Sequence, residues 1–260
     1  MENPRRIIAL LRLVSLVALL PLASAVSLAQ SGDFTVGQNG KSVGTASFKF
    51  ASNSEGYDST SVVRVSMQGL EYQLSKTEKL SSANLLQHVQ LSAIVNSTAV
   101  NIAAKPDSGQ ILINISANGR SSTTRLDGHK FVVFLADFDP GALETLLTLA
   151  VANNNRDLWA IVPKQAGSIQ PIQLATYADQ QGTLDGKPVA VHHLIATVSG
   201  SATDLFSGPE NQLLQAELPQ EGFALVRKGF VLKPPAKPTA PPEPPPATDQ
   251  PAPPSAPKVN

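Results

Sequence analysis

Hydrophobic and polar residues alternate one by one along much of the chain between residues 30 and 232. Successive side chains of a β-strand point to opposite faces, so a period of two is typical of strands that bury one face only. The pattern is clearest in segments 70–75, 88–95 and 111–116. Half-buried strands of this kind belong mainly to antiparallel sheets. The alternation therefore predicts about ten to twelve antiparallel strands.

Short turn sequences separate many of these segments. Asn39-Gly40, Asn118-Gly119, Asp127-Gly128 and Asp185-Gly186 each combine residues that tolerate positive φ angles, as tight hairpin turns require. Most predicted strands follow one another without an intervening helix. We therefore expect an antiparallel meander rather than a parallel α/β sheet.

One segment has a helical period instead. Apolar residues recur at helical spacing between Ala142 and Asn153, directly after Asp139 and Pro140. Aspartate is a good N-cap, and proline suits the first helical position. We predict one amphipathic helix near residues 140–153 that covers the concave face of the sheet. The predicted fold class is mainly β: a strongly curved antiparallel sheet, or half-open barrel, with this single helix.

The beginning of the chain has the features of a secretory signal peptide. Two arginines at residues 5–6 precede a short apolar stretch that ends in small residues. The part of this stretch without a charge, residues 13–22, is shorter than the roughly 20 apolar residues that span a bilayer. We expect residues 1–29 to be the signal-peptide region, with cleavage after Ala25 or after Ala29. Cleavage leaves a periplasmic or secreted protein without a membrane span.

The other end of the chain is rich in proline. Residues 233–260 contain 12 prolines among 28 residues, and neither glycine nor an aromatic residue. Such a composition buries too little apolar surface to offset the entropy of ordering, and proline favours an extended conformation. We expect a disordered tail, which leaves residues 30–232 as one β-rich domain. An envelope protein that contacts this tail is a possible partner.

Composition excludes several classes of function. The chain has no cysteine, which excludes disulfides and thiolate metal sites. Its 20 basic and 20 acidic residues leave no net charge to attract nucleic acid. The sequence also lacks the His-Glu-x-x-His spacing of a zinc site. We expect no cofactor, no metal and no nucleic-acid partner.

Few residues suggest catalysis. Gly40–Gly44 matches the G-x-S-x-G pattern of hydrolases, but it lies in a predicted hairpin and not in the strand-to-helix turn that exposes the nucleophile. His192 and His193 are neighbours in a predicted strand, so they face opposite sides of the sheet and cannot act as one pair. We expect the protein not to be an enzyme. A hydrolase that uses His129, His192 or His193 with an acidic neighbour is the less favoured alternative.

Several segments have strand and turn positions that match a known type of exported protein. They are Phe34-Thr35-Val36 with Gly40, Lys41, Val43, Gly44, Phe48 and Phe50, then residues 182–193, 204–206, 211–214 and 223–232. In these positions the chain resembles uncharacterised bacterial exported proteins of the half-barrel kind, which are similar in architecture to periplasmic lipoprotein carriers. The resemblance implies a curved sheet that wraps a helix and leaves an apolar cavity for acyl chains. It implies no catalytic residue.

These observations favour an exported, non-catalytic binding or carrier protein for an apolar, lipid-like ligand. The candidate groove is lined by the helix stripe and nearby aromatic residues: Phe131, Phe134, Leu143, Leu146, Leu147, Val151 and Trp159. The alternative is a structural or adaptor protein of the cell envelope. In that case the helix fills the sheet completely and the proline-rich tail contacts a partner.

Overall fold

The computed structural model describes residues 30–163 and 167–234. The predicted signal peptide and all but the first two residues of the predicted tail lie outside the described residues. The described part contains 17 strands and one α-helix. The mainly β fold class is therefore confirmed, whereas the predicted number of strands is too low.

The strands follow one another along the chain with a single interruption by the helix. The first half contains β1 (Gln30–Gln38), β2 (Lys41–Asn53), β3 (Gly56–Met67), β4 (Leu70–Ser81), β5 (Leu86–Val95), β6 (Thr98–Asp107), β7 (Gln110–Ala117), β8 (Arg120–Asp127) and β9 (Phe131–Phe134). After the helix α1 (Pro140–Ala152) come β10 (Leu158–Val162), β11 (Ser168–Thr176), β12 (Gln180–Leu184), β13 (Lys187–Val198), β14 (Ser201–Ser207), β15 (Leu213–Leu218), β16 (Phe223–Arg227) and β17 (Phe230–Leu232).

These strands form one large sheet. Strands β8 to β1 pair in reverse chain order, and β1 then pairs with β16. From β16 the sheet continues through β15, β14, β13, β11 and β10 to β9. β12 pairs with the first part of β13, and β17 pairs with β12. Among the described strands, β8 and β9 form no ladder with each other, so the sheet is curved but not closed.

The connection from β8 to β10 differs from the predicted meander. β9 and β10 are parallel, and α1 makes the long crossover that a parallel pair needs. The turn predicted at Asp127-Gly128 is wrong, because β8 and β9 do not form a hairpin. Gly128 serves a different purpose there: a Cβ atom on it would lie 2.1 Å from the carbonyl oxygen of Gly109. The other three predicted turns are confirmed, with positive φ at both residues.

The predicted helix is confirmed, including its start. Asp139 is the N-cap, and its Oδ1 accepts hydrogen bonds from the backbone N–H groups of Gly141 and Ala142, at 2.9 and 3.2 Å. The helix packs against β2, β3, β9 and β15, with most of its residues buried. It therefore lies inside the curved sheet. Within the described residues, no helix has the length and apolar character needed to cross a membrane.

A buried ion cluster joins the start of α1 to β4. The inward row of β4 continues from apolar Leu74 to Lys76 and Glu78, whose side chains have no exposed surface. Nζ of Lys76 lies 2.8 Å from Oε2 of Glu78 and 2.7 Å from Oδ2 of Asp139. Burial would lower the pKa of Lys76, but attraction to Asp139 and Glu78 outweighs burial and raises this pKa. The ion pair therefore favours the ammonium form, which holds the helix start against the sheet.

A second buried acid, Glu144, connects the helix to β15. Its Oε2 accepts a hydrogen bond from the backbone N–H of Leu213, at 2.8 Å. Burial raises the pKa of Glu144 to about 7, although the bond from Leu213 and the charge of Arg227 act in the opposite direction. The carboxyl group of Glu144 thus titrates near neutral pH in the folded protein.

Replacing Lys76 by methionine should destabilise the fold strongly, because it leaves two buried carboxyl groups without their cation. We expect a loss of at least about 3 kcal/mol in the free energy of unfolding, measured by urea denaturation at pH 7. Lys79→Met is the matched control on the same strand, since Lys79 is 56% exposed and lies 3.5 Å from an exposed aspartate. The control should lose less than about 1 kcal/mol. Equal losses would contradict the role of the cluster.

The Glu144→Gln variant should change how stability depends on pH. Between pH 4.5 and about 7, folded Glu144 retains a proton that the unfolded chain has released, so its contribution to the free energy of unfolding falls as pH rises. Glutamine keeps the acceptor for Leu213 but cannot ionise. Relative to wild type, we expect the variant to gain about 2 to 3 kcal/mol of stability between pH 4.5 and pH 8.

Urea denaturation at several pH values measures this difference. Glu210→Gln, at an exposed position, is the control and should run parallel to wild type. If the curves for Glu144→Gln and wild type are also parallel, the carboxyl group of Glu144 does not titrate in this range.

Candidate functional site

Two adjoining cavities lie on the concave face of the sheet. The strand cavity, of about 350 Å³, is lined mainly by inward side chains of β3 to β6: Met67, Leu70, Tyr72, Leu91, Ala93, Val95, Val100 and Ile102, together with Ala136, Asp137, Phe138, Pro163 and Phe223. The helix cavity, of about 330 Å³, lies beside α1 and the hairpin of β13 and β14. Its apolar lining includes Leu135, Leu143, Leu146, Val162, Ala196, Val198, Leu218 and Leu225. Both volumes are typical of small-molecule sites.

Three aromatic rings stand where the two cavities meet. Residues 136–138 and Phe223 line both cavities. The ring of Phe138 packs edge-on against Phe223 and Tyr72, with ring centres 4.8 and 6.0 Å apart. Phe138 therefore forms part of the wall that the two cavities share.

The backbone of Phe138 has an uncommon conformation. Its φ angle is 55°, in the left-handed region that a bulky residue seldom adopts. Strain of this kind persists only where the surroundings hold the residue in place. Phe138 directly precedes Asp139, which is fixed by the helix cap and by Lys76. The same anchor thus directs the ring of Phe138 into the space between the cavities.

Tyr72 provides the main hydroxyl group at this wall. Its Oη lies 3.5 Å from the backbone carbonyl oxygen of Asp137, a long hydrogen bond that the hydroxyl donates. Burial, followed by the charges of Asp137 and Asp139, raises the pKa of Tyr72 well above its usual value. The phenol is therefore a neutral donor and does not act as a base.

The residues predicted to line the groove are only partly brought together. Leu143 and Leu146 line the helix cavity. Phe134 and Leu147 are fully buried in the core, and Phe131 is half-buried on β9. Trp159 stacks on His129, with ring centres 3.5 Å apart. Val151 is 57% exposed and lines neither cavity, because the helix is buried on the sides that face the sheet and this residue points away from them.

Sequence reasoning missed most of the strand cavity. Leu91, Ala93 and Val100 line it from β5 and β6, and the alternation of these strands was a usable signal for their inward direction. No comparable pattern in the sequence marks Phe138 or Phe223 as a cavity residue. One lies in the loop before the helix and the other begins a short strand, so only the folded chain brings the two rings together.

The three histidines considered for catalysis lie in separate surroundings. Nδ1 of His192 contacts Oδ1 of Asp179 at 3.0 Å, and Nε2 of His193 contacts Oδ1 of Asp204 at 2.7 Å. The ring of His193 also stacks on Phe206. The ring of His129 stacks on the ring of Trp159. Over residues 30–163 and 167–234, no three His, Asp or Glu side chains converge as a metal site requires.

A larger hollow of about 630 Å³ lies on a different, more polar surface. Its lining includes Lys49, Arg227 and Lys228 together with Asp33 and Asp185. Much of this lining comes from the exposed faces of β2 and β3. Mixed charges on exposed strand faces do not form an apolar site, so the two cavities on the concave face remain the candidate site.

Comparison with known proteins supports the fold and leaves the function open. No family model and no curated protein matches the sequence. A crystal structure from Brucella abortus, described as a beta-barrel-like protein of domain of unknown function DUF1849, is similar with a TM-score of 0.52 and 12% sequence identity. The similarity covers 79% of this chain and 98% of that chain. At this identity the likeness concerns the fold alone, and a similarity to lipoprotein carriers is not shown.

Proposed function

We propose that this chain is an exported, non-catalytic carrier for an apolar, lipid-like ligand whose hydrocarbon chain occupies the strand cavity. The observation that carries this proposal is the pair of adjoining, mainly apolar cavities, of about 350 and 330 Å³, on the concave face of the sheet. Moving apolar surface out of water contributes roughly 25 cal/mol per Å². A buried alkyl chain therefore supplies several kcal/mol, from which the entropic cost of binding is subtracted.

The dividing ring gives the proposed site a way to adapt to ligand length. A short chain fits in the strand cavity alone. A longer chain reaches the helix cavity when Phe138 turns aside, since residues 136–138 and Phe223 line both spaces. Rotation of one side chain requires no change in the sheet. Binding by shape and apolar contact also agrees with a site that uses none of the three histidines.

Filling the strand cavity should weaken binding strongly without unfolding the protein. Ala93 points inward from β5 and lines this cavity, so Ala93→Phe places a ring in the space that the ligand needs. We expect the affinity for the neutral apolar dye N-phenylnaphthylamine to fall at least about tenfold. Dye fluorescence gives the affinity, and circular dichroism confirms that the variant is folded.

The neighbouring residue provides the matched control. Ile94 points to the opposite face and is 46% exposed, so Ile94→Phe adds a ring outside the cavity and should bind the dye like wild type. Native mass spectrometry of wild type purified without detergent should also show bound lipid. A wild-type protein that is empty and does not take up the dye would contradict the carrier proposal.

The carrier and adaptor hypotheses predict different results when the proline-rich end of the chain is removed. Removing residues 235–260 leaves β17 and its ladder with β12 complete. A carrier lacking this segment should bind the dye with unchanged affinity. An adaptor should lose its envelope partner in a pull-down, whatever happens to the dye.

A further inference from the structure

The buried ion cluster contains the groups that amide formation requires. Nζ of Lys76 lies 2.7 Å from Oδ2 of Asp139 and 2.8 Å from Oε2 of Glu78. All three side chains are withdrawn from solvent. Holding an amine and a carboxyl group in contact replaces a bimolecular encounter by an intramolecular one, which is worth many orders of magnitude in rate.

We propose that Lys76 and Asp139 become joined by an intramolecular isopeptide bond, with Glu78 as the group that transfers the proton. Nζ of Lys76 attacks Cγ of Asp139, a C–N bond forms, and the Cγ–Oδ2 bond breaks. Glu78 carries two protons in turn from the nitrogen to the departing oxygen, the first to free the lone pair that attacks and the second when the Cγ–Oδ2 bond breaks. The oxygen therefore leaves as water, and Glu78 ends the reaction unchanged. An ammonium and a carboxylate become one amide and one water, and no oxidant or reductant takes part.

The start of α1 is placed to stabilise the intermediate. Oδ1 of Asp139, the oxygen that remains, accepts hydrogen bonds from the N–H groups of Gly141 and Ala142. Donors in these positions stabilise the negative charge that develops on this oxygen when the nitrogen adds to the carbon. The amide product keeps the same carbonyl oxygen, so the helix retains its N-cap after the bond has formed.

Burial also favours the product. In water, a separated ammonium and carboxylate are well solvated, but in a dry interior both charges are costly and an amide is not charged. Burial likewise raises the pKa of Glu78, against the effect of Lys76, which helps this carboxyl group to hold a proton. The cluster therefore combines the reactive pair, a proton carrier and surroundings that disfavour the ionic reactants.

Two serines provide polar surroundings for the released water. Ser59 lies opposite Glu78 and Ser61 lies opposite Lys76 in the β3–β4 ladder. Both are buried, and within the described residues their hydroxyl oxygens have no hydrogen-bond partner. A Cβ atom on Gly141 would lie 2.2 Å from Oγ of Ser61, so only glycine lets this hydroxyl come so near the helix start.

Mass spectrometry of the purified wild-type protein tests the bond directly. The denatured chain should weigh about 18 Da less than the linear sequence with the same termini, since one water is lost. After digestion, a branched peptide should join the segment around Lys76 to the segment around Asp139, and trypsin should not cleave after Lys76. A full linear mass together with cleavage after Lys76 would overturn the proposal, and this test needs no variant to fold.

Variants then assign the roles of the residues. Lys76→Arg keeps the positive charge, but a guanidinium that is always protonated is not a nucleophile, so the mass deficit should disappear. Lys79→Arg, on the same strand and exposed, should keep the deficit. Glu78→Gln keeps the size of the side chain and should lower the cross-linked fraction of freshly made protein at least about tenfold. A deficit that survives Lys76→Arg would overturn the assigned bond, and full cross-linking in Glu78→Gln would overturn the role of Glu78.

Discussion

The contact between Lys76 and Asp139 is the interaction on which the rest of the interior depends. Asp139 uses one carboxyl oxygen to cap α1 and the other to meet an amine that β4 projects into the core. A buried ammonium without a partner strongly lowers the stability of a fold. Moving the helix start away from the sheet would therefore carry the free-energy penalty of an unpaired buried charge. Because the helix is held at this end, its apolar residues pack against β2, β3, β9 and β15. The loop before the helix is fixed by the same contact.

The arrangement of strands was largely predictable from the sequence, whereas the burial of the charged side chains was only partly so. Alternation and paired turn residues indicated an antiparallel sheet, the resemblance to half-barrel proteins implied its half-open form, and the cap and spacing of α1 indicated the start of the helix. The inward row of β4 contains apolar Leu70 and Leu74, and the same period continued along the strand places Lys76 and Glu78 inside. Because both side chains are charged, a solvent-exposed position is equally expected. The period of two alone does not decide between a buried and an exposed placement. The partner that decides the matter, Asp139, is far away in the sequence and comes near only in the folded chain.

The candidate site was less predictable than the fold, for a related reason. The helical stripe correctly includes Leu143 and Leu146, but α1 is buried on most of its surface, so its period does not show which side faces empty space. Val151 belongs to the same stripe and lies in solvent. The parallel pairing of β9 with β10 is likewise hidden, because a strand, a helix and a strand in succession fit more than one connection. The position of the Phe138 ring depends on a left-handed backbone conformation, which is unfavourable for a bulky residue. Residue propensities do not predict such a conformation.

The cavities and the ion cluster are best understood together. An apolar space of this size usually costs stability, and the surrounding side chains move inward where they can. Here the wall between the two spaces carries Phe138, and the residue after it is held by two backbone hydrogen bonds and a buried amine. The loop therefore cannot shift into the cavities without breaking an interaction that is more costly to lose than the space is to keep. A rigid polar anchor next to an apolar cavity allows the fold to maintain an opening that a purely apolar interior would close. A covalent bond between Lys76 and Asp139 would make that anchor permanent.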